Sequence, residues 1–345
     1  MMNAIQKLVV FSALAFVVLL STGGMRWSIP RKFGGTVKNH YSVTNAFLVG
    51  GNQPWNSVAC SYDGQRVYAV GGAGTTGCVH STDGGTTWTV DFAPNWNTCG
   101  CSADGMSAMF MAYNNSVGVR HTINGGSSWQ DIGHGAGWHN AQMSGDGTLM
   151  VAIQEGAQFH VTTNLFADQW NGPFSGSWLG FGVSSNGQKI VTGIPNMPAV
   201  MSTNWGHGWY ANAVSTGIAD ENYAMNTYGT KCVKCCYPGL VYTGIFVPTV
   251  DSDLVWSPTS LTTSNRVGLA ISADGNTIAT SPYYDAVTQV EISRDGGQSW
   301  GRVSLPGNSP YVTCIAMSAD GKTIYVTCAG HTSDGNLFKI AITDY

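Results

Sequence analysis

The stretch Ser81-Thr82-Asp83-Gly84-Gly85-Thr86-Thr87-Trp88 decides how this chain is read. An Asp side chain bonds the backbone a short way downstream, and paired glycines accept the positive φ of a tight turn. β-Branched Thr86 and Thr87, followed by Trp88, favour an outgoing strand. The stretch predicts a hairpin turn whose indole anchors its second strand. It returns as Ser293-Arg294-Asp295-Gly296-Gly297-Gln298-Ser299-Trp300. With Asn124 in place of the Asp, it returns again as Thr122-Ile123-Asn124-Gly125-Gly126-Ser127-Ser128-Trp129. Weaker copies run from Ser202 to Trp209, Thr162 to Trp170 and Thr249 to Trp256.

A second motif, Ser-x-Asp-Gly, keeps step with the first. It begins at Ser61, Ser102, Ser144, Ser184 (with Asn186 for the Asp), Ser272 and Ser318. The separations are 41, 42, 40, 88 and 46 residues, and the double gap holds a degenerate copy, Asn226-Thr227-Tyr228-Gly229. Seven units of about 43 residues match the period of four-stranded propeller blades. Two positions before each motif start stand Ala59, Gly100, Gln142, Gly182, Ala224, Ala270 and Ala316; one position before it every residue is apolar. That alternation has period 2 and predicts a strand packed on both faces. The expected fold is all-β, a single seven-bladed β-propeller over 41–345. The last unit lacks a fourth strand, and the apolar stretch Tyr41–Val49 is expected to supply it, since an unpaired edge would otherwise remain.

The repeated turn resembles the Asp-box, or BNR repeat, of sialidase-like β-propellers. The resemblance implies the propeller fold and a structural role for Ser81, Asp83, Gly84, Gly85, Trp88, Asn124, Trp129, Asp295 and Trp300. It does not imply sialidase activity. That chemistry needs three arginines on the carboxylate of the sugar and a Tyr paired with Glu. Here Arg26 and Arg31 fall in the N-terminal segment, Arg120 and Arg294 flank the turns, and only Arg266 has a position suited to a site. The photosystem-assembly propellers share the Asp-box but carry an arginine patch with no counterpart in this sequence. The xyloglucan-cleaving enzymes have two propellers, and this chain has room for one.

Composition narrows the function classes. A formal charge of -4 supplies no basic field, so a nucleic-acid partner is not expected. Leu8–Leu20 is apolar, follows Lys7 and precedes Ser21-Thr22-Gly23-Gly24. A run of thirteen residues, apolar except for Ser12, suits a signal-peptide core, with small residues where a peptidase would cut. A retained anchor is the alternative, and Arg26, Arg31 and Lys32 beyond the run disfavour simple export under the positive-inside rule. A buried strand is the third reading. The expected organisation is 1–24 signal or anchor, 25–40 linker and 41–345 propeller, with the body extracytoplasmic and attached to a membrane, if at all, through 8–20.

In such a ring the Ser-x-Asp-Gly and Asp-Gly-Gly turns share the bottom, and function is sought on the top. Six residues before four consecutive motif serines stand Trp55, Trp96, Trp138 and Trp178, beside Asn56, Asn97 and His139. Such an arc reads either as a platform for sugar rings or as plugs between blades. Loop positions add Glu155, Tyr283, Tyr284, Asp285, His331 and Asp334; two carboxylates facing across a channel would suit glycoside hydrolysis. Cys232, Cys235 and Cys236 lack the second ligand pair a closed zinc site needs, so neither metal nor cofactor is expected. The leading expectation is a non-enzymatic binding or structural module on a cell or virion surface, taking a glycan or protein partner on its top face. The alternatives are a glycoside hydrolase or lyase and a membrane-associated assembly factor.

Overall fold

The computed structural model describes residues 40–45, 54–71, 77–92, 96–113, 118–154, 158–163, 170–171, 180–193, 199–211, 219–237, 240–246, 254–261, 266–282, 288–306, 311–329 and 336–343. They form a seven-bladed β-propeller, and none of them is helical. Each blade is a four-stranded antiparallel sheet. Strands A to D run from the axis outward; blade 1, for example, comprises Trp55–Cys60, Val67–Gly71, Cys78–Ser81 and Thr89–Phe92. The A strands of blades 2 to 7 begin at Trp96, Trp138, Phe181, Ala219, Arg266 and Tyr311. In blade 7 the outermost strand is His40–Asn45, paired with Leu337–Thr343 in the register His40↔Thr343 to Asn45↔Phe338. The stretch read from sequence as 41–49 thus pairs over 40–45. The remainder of 41–49 and the segments 1–24 and 25–39 lie outside the described residues.

Two hoops of hydrogen bonds tie neighbouring blades at opposite ends of strand A. At the bottom the second residue of each A–B turn donates its backbone N–H to its counterpart in the next blade. Tyr62 donates to Ala103 at 2.7 Å, Ala103 to Gly145 at 2.8 Å, Gly145 to Ser185 at 2.6 Å and Ser185 to Thr227 at 3.0 Å. Ala273 donates to Ala319 and Ala319 back to Tyr62, each at 2.8 Å. Between blades 5 and 6 the bond is made by a side chain, Asn226 Nδ2 to Ala273 O at 3.2 Å.

At the top the link runs through side chains. Strand A carries a register shift just after its first residues: between Trp55 and Ser57, Trp96 and Thr98, Trp138 and Asn140, Val312 and Cys314. A bulge leaves one residue out of the ladder and re-aims its side chain. Asn56 Nδ2 accordingly reaches Trp96 O at 3.1 Å, Asn97 Nδ2 reaches Trp138 O at 2.9 Å and Thr313 Oγ1 reaches Trp55 O at 2.7 Å. In blade 6 the bulged residue is Gly268, at φ 66, where a Cβ would sit 2.8 Å from Ile315.

The core is a set of wedges between blades. Trp55 packs with Tyr325 and Leu337 of blade 7, Trp96 with Val70 and Cys78 of blade 1, and Trp138 with Met109 and Met111 of blade 2. Trp88, Trp129, Trp209 and Trp300 of the C–D turns close the same kind of interface lower down.

Candidate functional site

The seven A strands enclose an axial channel of about 440 Å³. Its lining comes from blades 1, 2, 3, 5, 6 and 7, with Ala59, Gly100, Ala224, Ala270 and Ala316 at the register of small residues. Small side chains here let seven strands approach one axis. Gly100, for example, would place a Cβ 3.2 Å from Gln142 Cα of the next blade.

The three described indoles of the arc do not line that channel as a platform. Trp55, Trp96 and Trp138 are each 1% exposed, so in this structure no ring face among the three is open to a sugar. The amides beside them donate to carbonyls of the next blade, as described above. Both features of the expected carbohydrate platform are therefore blade-to-blade packing. Trp178 lies outside the described residues, as do Glu155, Tyr283, Tyr284, Asp285, His331 and Asp334.

The space filled by indoles in blades 1 to 3 is filled in blade 6 by charge. Arg266, at the first position of strand A, forms an ion pair with Glu291 of strand C, both 2% exposed. Arg302 of strand D bonds the other carboxylate oxygen at 3.1 Å from Nε. A buried carboxylate bridged by two guanidinium groups is held in place as an anion rather than presented to a substrate. In blade 2 Arg120 lies 3.9 Å from the centre of Phe92 and 5.6 Å from that of Trp96, while also pairing with Asp131. Sequence reading placed Arg266 at the top but missed Glu291. The signal was Arg at a position held by Trp in four other units, which requires an acid nearby.

The bottom turns are built as their sequence dictates. Ser81 Oγ donates to Asp83 Oδ1 at 2.8 Å and accepts from Gly85 N at 2.9 Å. Asp83 accepts the backbone N–H of Thr86 and Thr87 at 3.0 and 2.8 Å and the Thr87 hydroxyl at 2.6 Å. The Thr87 bonds, followed by those from Ser81 and Thr86, hold the Asp83 carboxyl down at about 2. Asp295 repeats the pattern with Gln298 and Ser299, and its carboxyl is likewise lowered by those bonds against the opposing effect of burial. Asn124 accepts the backbone N–H of Ser128 at 2.9 Å and, unlike the Asp, donates Nδ2 to its hydroxyl at 2.8 Å. Trp88, Trp209 and Trp300 each donate Nε1 to the turn glycine carbonyl at 3.1, 2.9 and 3.2 Å. Trp129 instead donates to Asp91 of blade 1 at 3.1 Å, joining a pair that Asp91 already forms with His80 at 2.8 Å. The Ser202–Trp209 copy is a complete turn. Trp256, by contrast, lies inside strand D of blade 5, opposite Gly244, and residues 249–253 of that copy lie outside the described residues.

Eight cysteines, all free thiols, are described. Burial pushes Cys60 up to about 12 and raises Cys99, Cys101 and Cys314, so the channel thiols stay protonated at neutral pH. No group of three metal-ligating side chains occurs among the described residues.

Known proteins share this architecture. No family model matches the chain, and no curated protein matches its sequence. The solved structure of YCF48 from Cyanidioschyzon merolae is similar with a TM-score of 0.65 and 15% identity, over 87% of this chain and 98% of that one. The β-propeller domain of Myceliophteria thermophila Cps50 (Swd1) gives a TM-score of 0.67 at 12% identity, covering 88% and 100%. A structure of YCF48 bound to D1 peptide gives 0.61 at 16%, covering 88% and 97%. At such identities the likeness establishes the fold.

Proposed function

We propose that this chain is a non-enzymatic binding scaffold that holds a protein partner. The observation that carries this reading is where the ring's polar side chains are engaged. Asn56, Asn97 and Thr313 link blades, Glu291 neutralises Arg266, and Asp83 and Asp295 cap turns. Groups held this way build a rigid frame, and recognition falls to the loops and rims the frame carries. A propeller of the same fold, YCF48, is known with a bound D1 peptide, which supports a polypeptide ligand. The turn chemistry also supports grouping the chain with the Asp-box propellers. Residues 1–24 act as signal or anchor and 25–40 as linker, placing the propeller 41–345 outside the cytoplasm, on a cell or particle surface. Cross-linking and affinity capture of the full chain from its native source test the reading, with a glycan array run alongside. A stoichiometric protein partner is expected. Glycan binding with no protein partner, or turnover of a glycoside, would overturn it.

A further inference from the structure

Sulfur is concentrated in the axial channel. Among the residues that line it, Cys60, Cys99, Cys101 and Cys314 bring thiols, and Met143, Met225 and Met317 bring thioethers. Five of these stand one position before a motif start, the register that reads from sequence only as apolar. Among the described residues that line the channel, none is charged. The four cysteines are free thiols and belong to three consecutive blades, 7, 1 and 2. Two of them converge on one hydroxyl. Ser57 of blade 1 has its Oγ 3.6 Å from Cys99 Sγ of blade 2 and 3.9 Å from Cys314 Sγ of blade 7. The two sulfurs are therefore separated by no more than those two distances combined. Bonds of the top hoop fix the three strands beside the pair. Thr313 Oγ1 to Trp55 O at 2.7 Å joins blade 7 to blade 1, and Asn56 Nδ2 to Trp96 O at 3.1 Å joins blade 1 to blade 2. Each thiol also reaches a backbone carbonyl, Cys99 that of Tyr68 at 3.5 Å and Cys314 that of Val58 at 3.6 Å. A thiol is a weak donor, so these contacts cost little to give up.

We propose that Cys99 and Cys314 form a two-coordinate site for a monovalent thiophilic cation, Cu(I), held between their sulfurs beside Ser57. The site is separate from the partner-binding role above. Thiolate ligands select soft ions such as Cu(I) over hard ones. Ligand number points the same way. Carboxylate, imidazole and thiol groups gather nowhere three at a time among the described residues, which leaves no closed site for zinc and its four ligands. Cu(I) is satisfied by two. The remaining thiols and thioethers of the lining keep the path along the channel polarisable rather than charged. Burial holds Cys99 and Cys314 in their protonated form, so the empty pair is no standing thiolate. Each ion bound displaces two thiol protons to solvent, and its own charge cancels one of the two negative charges that deprotonation creates.

The test is titration of the fully reduced full chain with Cu(I) under nitrogen, in competition with the colorimetric chelator bicinchoninate. One ion per chain is expected to be withheld from the chelator. Its affinity should rise about 100-fold per pH unit, because two protons leave. Cys99→Ser and Cys314→Ser should each weaken binding about 100-fold or more, beyond the roughly 10–100-fold that loss of an outer-sphere partner costs. Cys328→Ser removes a buried thiol that does not line the channel and should leave the affinity unchanged. X-ray absorption at the copper edge of the wild-type complex depends on no variant and should show two sulfur neighbours and no nitrogen. The proposal is overturned if no ion is withheld, if nitrogen appears among the neighbours, or if either channel variant binds as tightly as wild type. A rise of only about tenfold per pH unit, one proton, would also overturn it, since a single thiol would then be ligating.

Discussion

The two ends of strand A do the same job by different means. At the bottom, backbone N–H and carbonyl groups join six of the seven interfaces, and any residue can supply them. At the top, side chains join the blades, through an amide in blades 1 and 2 and a threonine in blade 7, while blade 6 fills the indole register with an Arg–Glu pair inside its own sheet. A backbone link constrains only chain geometry, so its turn motif repeats. A side-chain link constrains chemistry locally, so it diversifies. Energetically the top is therefore the more vulnerable end to substitution.

The largest effects are expected there. Trp96→Ala leaves a cavity between blades 1 and 2, removes the farther of the two rings that Arg120 lies against and should cost about 3–5 kcal/mol. Glu291→Ala strands the Arg266 guanidinium in a buried site and should cost about the same, 3–5 kcal/mol. Denaturant titration of both variants checks this. The double variant Arg266→Met, Glu291→Leu sharpens the contrast. It removes the charge together with its partner, and its stability should return to within about 1–2 kcal/mol of wild type. No partner substitution can rescue Trp96→Ala in the same way, because what it loses is volume.

Two strand C histidines differ in their partners, and one of them makes stability depend on pH. His80 has a partner in Asp91; His121, one blade on, has a buried Nε2 without one among the described residues. Burial lowers His121 to about 4, below its ordinary 6.5. The unfolded chain therefore binds a proton that the folded chain refuses. Stability is intact above pH 6.5 and falls as pH drops towards 4, by about 3 kcal/mol for this one group. His160, also depressed by burial, adds to the loss in the same direction. In His121→Leu the slope of stability against pH over that window should flatten; an unchanged slope would mean that His121 already protonates in the folded state.

What was legible in the sequence follows the same division. Motif spacing predicted seven blades, and the Asp-Gly-Gly turns formed as their residues require, because backbone geometry leaves a repeating signature. The indoles at Trp55, Trp96 and Trp138 were visible as a register, yet their burial was not. An amide next to a Trp reads as a ligand group until a bulge is seen to aim it at the next blade. Glu291 was illegible for a related reason: its partner lies 25 residues away, and nothing local marks either as paired. The weak copy of the turn motif read over Thr249–Trp256 shows the remaining kind of error, since Trp256 matched the spacing but falls within a strand. A smaller test of the top hoop is Asn97→Ala. It deletes one side-chain bond to Trp138 O and leaves that carbonyl beside the channel, so a loss of about 0.5–1.5 kcal/mol is expected.

The smallest expected effect is at the bottom, in Trp205→Gly. Replacing a left-handed non-glycine residue by glycine relieves about 1–2 kcal/mol of strain. The substitution also deletes the bond from Nε1 to Asn186 O at 3.2 Å, worth about 0.5–1.5 kcal/mol, and the packing of a side chain that is already 43% exposed. The gain and the losses nearly cancel, so thermal unfolding of this variant should stay within about 1 kcal/mol of wild type. The backbone bonds of the turn explain why it survives: Gly206 N to Ser202 Oγ at 2.9 Å and Gly208 N to Asn204 Oδ1 at 2.7 Å do not involve the Trp205 side chain. A loss of several kcal/mol would instead make Trp205 part of the wedge between blades 3 and 4. The contrast between a backbone-built bottom and a side-chain-built top would then fail at blade 4.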